Sequence, residues 1–256
     1  MGRLLARLFK TKTNRVIICG RDENKTKKAA AHVHVEAGNI TEVAQANIVV
    51  VSVPIEDTVE VCRYVLEKMR GNSVLVEISS VKTGIVDKIV EMVPPEIEYL
   101  SLHPLFGPSV RRPEAQSIIT IPAKPGPISR RMLDCIHDMG FTTHVCTMEE
   151  HDRMMAVMQV MHHYAYLVMA VALAKMITEN RITSRFATRS LKITWRQLHS
   201  LQKINRTVIG IQRLNPCGSA ARRSYAEVAQ RMTTMNDQVI SEIEEAMKTI
   251  DDWIRK

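Results

Sequence analysis

NIVVVSV, residues 47–53, closed by Pro54, is a β-branched run too short for a helix and apolar on both faces, which reads as a strand buried on both sides. SVLVEI, residues 73–78, is a second such run and stops at Ser79-Ser80-Val81-Lys82. A third, residues 97–102, stops at His103-Pro104-Leu105-Phe106-Gly107-Pro108. Between the first two, Val59, Val61, Val65, Leu66 and Met69 recur at roughly helical spacing. Strand, helix, strand, helix, strand implies a parallel sheet, and open parallel sheets bind ligands at the carboxyl ends of their strands. The Pro54 loop, the Ser-Ser-x-Lys turn and the His-Pro corner are therefore expected to converge on one crevice.

Outward from this centre, residues 2–10 form an amphipathic helix with Leu4, Leu5, Leu8 and Phe9 on one side. Residues 15–19 (RVIIC) read as a strand ending at Gly20-Arg21-Asp22, and residues 40–46 as a short helix. Downstream, residues 117–121 and 142–145 are strands, with a helix over 129–139 stopped at Gly140. A dinucleotide-binding domain opens with a strand and Gly-x-Gly-x-x-Gly ahead of its first helix, because the glycines let the backbone approach the pyrophosphate. Only the last glycine, Gly2, stands here, so the expectation is a Rossmann-like domain that is N-terminally truncated. Either the reading frame starts late or the chain is a shortened relative; the intact helix after the loop favours the first.

From Glu149 the pattern is helical only, which sets the expected division at residues 1–148 for the dinucleotide-binding domain and 149–256 for an all-α domain, to which the family resemblance described below assigns substrate binding and dimerisation. One long helix is expected over 149–178, weaker ones over 186–202 and 206–214, and a long amphipathic one over 219–254, whose stripe from Tyr225 to Trp253 needs a partner surface. The most apolar stretch, 154–177, is interrupted by Gln159, His162 and His163 and fits a buried domain helix better than a membrane span.

Composition excludes several classes. Hydrophobic residues at 45% and charged ones at 24% describe an ordinary folded domain, and with aromatics at 4% against 15 methionines the core must be aliphatic. The net charge of +8, clustered at residues 25–28, Arg111-Arg112 and Arg222-Arg223, comes without an aromatic-interleaved stripe or zinc-finger spacing. Nucleic acid is therefore not the expected partner, and steering of a small anionic substrate or a phosphate-bearing cofactor explains the surplus. Five cysteines without a CxxC pair, and no secretory signal in residues 1–12, point to reduced thiols in the cytoplasm. No HExxH or cysteine cluster offers a metal site.

The phrases VSVPIEDTVE, EISSVKTG, LHPLFGPSV and EEHDRMMAVMQ, in this order, closely resemble the monofunctional archaeal and bacterial prephenate dehydrogenases. The resemblance covers residues 2–175, weakens over 181–206 and returns in part over 211–232. It implies oxidative decarboxylation of prephenate to 4-hydroxyphenylpyruvate in tyrosine biosynthesis, with NADP or NAD as hydride acceptor. Arogenate is the alternative substrate. A related hydroxyacid reductase, and an impaired, non-enzymatic dimeric relative, are the rival readings. Relatives dimerise through their helical domains, so a homodimer is expected.

The same resemblance assigns roles. His103 would be the base that contacts the ring hydroxyl, a task that suits a neutral imidazole; the alternative is a histidine packing a strand end. Ser80 would bond both the substrate hydroxyl and the histidine. His151 and His163 would line the substrate pocket, and the adjacent His162 reads rather as a core or interface residue. Lys82 either attracts an anionic group or begins the following helix. Relatives clamp a substrate carboxylate with an arginine from the helical domain; here a gapless count puts His199 at that position, leaving Arg196 on the same helix face. Cofactor contacts fall to Gly2, Arg3, Gly20, Arg21, Asp22, Val53, Pro54, Thr58 and Ser79. At the strand end an acid bonds the ribose 2′-hydroxyl of NAD, and an arginine accommodates the 2′-phosphate of NADP. Arg21 followed by Asp22 leaves both open, with Arg21 and the lysines at 25, 27 and 28 tipping the reading towards NADP.

Overall fold

The computed structural model describes residues 1–13, 15–108, 110, 116–203 and 205–255. Ser109 of the HPLFGPSV phrase and the Arg111-Arg112 cluster lie outside these. In chain order the elements are α1 (Gly2–Phe9), β1 (Ile17–Ile18), α2 (Glu23–Val33), β2 (Glu36–Ala37), α3 (Ile40–Ala44), β3 (Ile48–Val51), α4 (Thr58–Leu66), β4 (Ser73–Glu77), α5 (Val86–Met92) and β5 (Ile97–Pro104). They continue with β6 (Ser117–Lys124), α6 (Pro127–Asp138), β7 (Thr142–Val145), α7 (Met148–Met155), α8 (His162–Glu179), α9 (Arg189–Lys203), α10 (Asn205–Leu214), α11 (Gly218–Arg231) and α12 (Asp237–Ile254). Two compact units result: Met1–Met155 with Ile204–Pro216, and Ala156–Lys203 with Cys217–Lys256. The expected division at 148/149 thus falls instead at 155/156, because α7 carries the buried His151, Asp152 and Met155 into the first unit, and residues 204–216 return to it.

The first unit is α/β. Its main sheet has the order β3-β4-β5-β6-β7, parallel from β3 to β5. β4 lies between β3 and β5 with every residue buried, as its unbroken apolar run requires. Val74, Val76, Leu100, Leu102 and Ile118 form the core with Met132 and Ile136 of α6, and Leu8 and Phe9 of α1 pack against it. The carboxylate of Glu98 caps α6, accepting from the amides of Ile128 at 2.9 Å and Ser129 at 2.6 Å, where the helix dipole favours negative charge.

Three expectations change. The sheet is not wholly parallel: β6 runs antiparallel to β5, and no helix is found between them among the described residues. The RVIIC run keeps only Ile17 and Ile18 as strand, paired with the unforeseen β2 in a separate two-stranded sheet, and the outer edges of β1 and β3 are unpaired among the described residues. β5 runs on through Pro104, so His103 belongs to the strand itself.

The second unit begins with a π-helical stretch, Ala156–Met161, which continues α7 into α8, much as the single helix over 149–178 anticipates. No residue of α8 is buried, so it is not a buried domain helix within this chain. The expected helix over 219–254 is two helices. Met235 adopts φ 40° and ψ 43° after the short turn Met232–Thr234, and the Asn236 side chain caps α12 by accepting from the Val239 amide at 3.0 Å.

Candidate active site

A charged residue in a strand buried on both faces needs a partner, and Glu77, the last residue of β4, has several. Its Oε1 accepts from Lys82 Nζ at 2.8 Å and from the Ser101 hydroxyl, and its Oε2 from the Ser79 amide at 2.6 Å. Lys82 Nζ also donates to the Leu102 carbonyl at 2.7 Å. Glu77 and Lys82 are both 0% exposed. Burial pushes the Lys82 ammonium below its ordinary pKa, and Glu77 pulls the other way. Lys82 is therefore no substrate contact: it ties the turn after β4 to β5. The Ser79 hydroxyl is likewise spent within the turn, on the Val81 carbonyl at 2.7 Å, and not on a cofactor.

Against this turn lies a relay of three side chains. The Asp152 carboxylate accepts from the amides of Lys82 at 3.0 Å and Thr83 at 2.8 Å, and its Oδ1 lies 2.8 Å from His151 Nδ1. His151 Nε2 lies in turn 2.8 Å from His103 Nδ1. Burial raises the Asp152 pKa, but the bonds from His151, Thr83 and Lys82 outweigh it and hold the group ionised. An ionised carboxylate only accepts, which sets both tautomers. His151 carries its proton on Nδ1, and its Nε2 accepts the proton that His103 carries on Nδ1. Burial, then the Lys82 and His151 charges, depress the His103 pKa well below the ordinary imidazole value, so the ring is neutral near pH 7. The unit is built as a base held in one orientation by a second imidazole and a carboxylate.

Three expectations are corrected here. His151 is 0% exposed and orients His103; it presents no surface to a substrate. His103 itself keeps 3% of its surface where an open crevice was expected. Ser80 is half-buried, and no hydrogen bond joins it to His103. The residue missed by sequence reasoning is Asp152. Its adjacency to His151 at a helix start was the available signal, and the fold supplied the rest, down to the Asn215 amide that donates to the Asp152 carbonyl at 2.9 Å.

At the other sheet the residues fit a nucleotide by their donor chemistry. The first turn of α1, which begins at Gly2 and Arg3, contains no acidic residue and no side-chain cap, so its amides suit a phosphate. Gly20 is exposed, and a Cβ there would come within 2.8 Å of Thr26 Oγ1, so the turn after β1 admits no side chain without rearrangement. Arg21 follows with 84% of its side chain exposed. Asp22 caps α2, accepting from the Lys25 amide at 2.9 Å, which engages the acid expected for a ribose hydroxyl. Past β3, Val53 is 36% exposed and Pro54 half-buried, whereas Thr58 is 2% exposed with its hydroxyl on the Pro54 carbonyl at 3.2 Å, a helix-start bond and not a cofactor contact.

The remaining candidates belong to the second unit. His163 is half-buried, its Nδ1 has no hydrogen-bond partner among the described residues, and burial with the His162 charge lowers its pKa to about 4. His162 is exposed, edge-on to Tyr166 at 5.2 Å. Arg196 is exposed on α9, as is His199, whose ring lies 6.1 Å from that of Trp195.

The family model of the prephenate dehydrogenase nucleotide-binding domain matches residues 5–118. The chain is similar to a probable arogenate/prephenate dehydrogenase of Methanocaldococcus jannaschii, 28% identical over 193 residues, which are 73% of this chain and 43% of that protein. It is also similar to the 4-amino-4-deoxyprephenate dehydrogenase of Streptomyces pristinaespiralis, 28% identical over 159 residues, which are 58% of this chain and 52% of that one. It thus spans about half the length, or less, of these curated relatives. Among solved structures, the prephenate dehydrogenase of Aquifex aeolicus superposes with a TM-score of 0.72 at 14% identity, over 98% of this chain and 96% of that one, a likeness of fold. Over residues 5–118 the chain is thus similar to the nucleotide-binding domain of the prephenate dehydrogenases.

Proposed function

We propose that the chain carries out the oxidative decarboxylation of prephenate to 4-hydroxyphenylpyruvate, with NADP or NAD as the hydride acceptor. The observation that carries this reading is the Asp152–His151–His103 relay at the carboxyl end of β5, which holds a neutral imidazole in one orientation in a nearly dry site. The nicotinamide, when bound, supplies the acceptor for the hydride from the ring carbon that bears the hydroxyl. His103 Nε2 takes the hydroxyl proton as that carbon becomes a carbonyl, and the ring carboxylate departs as carbon dioxide. Aromatisation drives that loss, and the proton returns from Nε2 to the phenolate oxygen. The protein has only to position the substrate and hold one proton. Asp152 stays ionised and stabilises the imidazolium through His151, which is why a carboxylate two rings away contributes to the rate.

Family resemblance alone assigns Ser80 to the substrate hydroxyl, and His163 and Arg196 to further substrate contacts. Gly2, Arg3, Gly20, Arg21, Val53 and Pro54 remain the proposed cofactor contacts. Five free thiols support a reducing, cytoplasmic setting, and the exposed apolar faces of α8 and α12 support a homodimer of helical units.

The test is a steady-state assay of the full chain with prephenate or arogenate and each cofactor, read by absorbance of the reduced nicotinamide. Asp152→Asn is expected to lower kcat by about a hundredfold or more with little change in KM, because the wrong tautomer propagates to His103. In the unaltered protein the acid limb of kcat/KM falls below the ordinary imidazole range: the base must be neutral, its pKa is depressed, and activity is lost only as the pH drops through that depressed value. An acid limb at or above the ordinary value, or full activity in Asp152→Asn, removes the relay from the mechanism.

A further inference from the structure

Arg21, just past β1, is not alone. Its guanidinium lies 3.5 Å from Asp57 Oδ2, at the outer limit of a hydrogen bond, and Arg206, near the start of α10, comes within 3.7 Å of the same oxygen. The two arginine side chains stay 84% and 59% exposed, and that of Asp57 29%. Surface ion pairs between helix neighbours are common and do little. This one differs because three separate segments, the turn after β1, the start of α4 and the start of α10, send their charges to one point. That point stands at the strand end where a ribose 2′-substituent is read. Asp22, the acid next to Arg21 that would accept a 2′-hydroxyl, is engaged as the cap of α2 and in an ion pair with Lys25 at 3.3 Å.

We infer that Arg206 completes, with Arg21, a clamp for the 2′-phosphate of NADP, and that Asp57 holds the two guanidinium groups together until the phosphate takes them. The inference rests on the dinucleotide reading given above and goes beyond it in naming Arg206 and Asp57 as determinants of cofactor choice. A carboxylate oxygen at 3.5 and 3.7 Å is a loose partner for two planar forks. A phosphate dianion with three free oxygens can bond both at once, and Asp57 then becomes a repulsive neighbour.

The experiment compares adenosine 2′,5′-bisphosphate with 5′-AMP by calorimetric titration of the full chain at low ionic strength. The unaltered protein is expected to prefer the bisphosphate by at least about tenfold, a preference that shrinks as salt is added. Arg206→Ala is expected to remove about tenfold of that preference, the loss of one charge-assisted contact, and to leave 5′-AMP binding as it was. Asp57→Asn is expected to strengthen bisphosphate binding alone. Arg206→Ala with the preference intact overturns the role of Arg206, and an unchanged Asp57→Asn overturns that of Asp57. Equal binding of the two probes by the unaltered protein overturns the clamp but leaves the dinucleotide reading standing. Failure of both probes and of NADP to bind overturns that reading too. All three side chains lie at the surface, so circular dichroism of each variant is expected to match the parent.

Discussion

At the scale of single residues, the deciding question is which way a charged side chain points. A lysine after Ser-Ser-x reads the same whether its ammonium faces a ligand or the interior. What distinguishes the two is the acid at the end of a wholly buried strand, since Glu77 at 0% exposure requires a cation close by. That signal was present in SVLVEI and its pairing was not, because the match is made through the turn's geometry. Lys82→Met leaves the Glu77 carboxylate in the core with Ser101 and the Ser79 amide only, and is expected to cost about 3–5 kcal/mol of stability, read as a lower denaturant midpoint at constant slope. The double variant Lys82→Met with Glu77→Leu is expected to recover a large part of it, because no uncompensated charge remains. A single variant as stable as the parent removes the claim that this pair holds the turn. His103 stands out in the HPLFGP phrase, but its contact with His151 is not legible there, because the two belong to elements far apart in sequence.

At the scale of elements, the central strands were readable because a strand buried on both faces has no polar positions, and β3, β4 and β5 fall on the three runs that showed this. The direction of β6 was not, because strand polarity depends on the connection and not on the strand's own residues. The two-residue strands β1 and β2 were hard to see for a related reason: a strand that short carries no period. The break between α11 and α12 was hidden by a stripe that keeps its phase across it, with Met232, Met235 and Val239 at the expected spacing. The structure places the break at Met235, whose φ of 40° puts a side chain in the left-handed region that glycine tolerates best. Met235→Gly is therefore expected to raise the thermal midpoint, by an amount corresponding to about 1 kcal/mol, and Met235→Ala to give no such gain. Stabilisation by both substitutions, or by neither, denies that backbone strain marks this joint.

At the scale of the whole molecule, the balance of buried and exposed apolar surface is uneven. The first unit hides its aliphatic residues in one core. The second leaves Val171 at 72%, Phe186 at 74%, Trp195 at 60% and Trp253 at 60% exposed, and no residue of α8 is buried. Apolar patches on this scale mark a surface that something covers. By length and composition the helical run Met148–Glu179 could also cross a membrane, so the two coverings make opposite forecasts. If a second copy covers these helices, the protein stays soluble without detergent and sediments at twice the chain mass. Val171→Glu, which sets a carboxylate in the middle of α8, then shifts it to monomer, because a buried unpaired charge costs about 3–5 kcal/mol and the interface must bury only about 1,200–2,000 Å² in total to hold. Analytical ultracentrifugation of parent and variant at micromolar concentration decides the matter. A parent that sediments as a monomer, or that is soluble only in detergent, is incompatible with the homodimer.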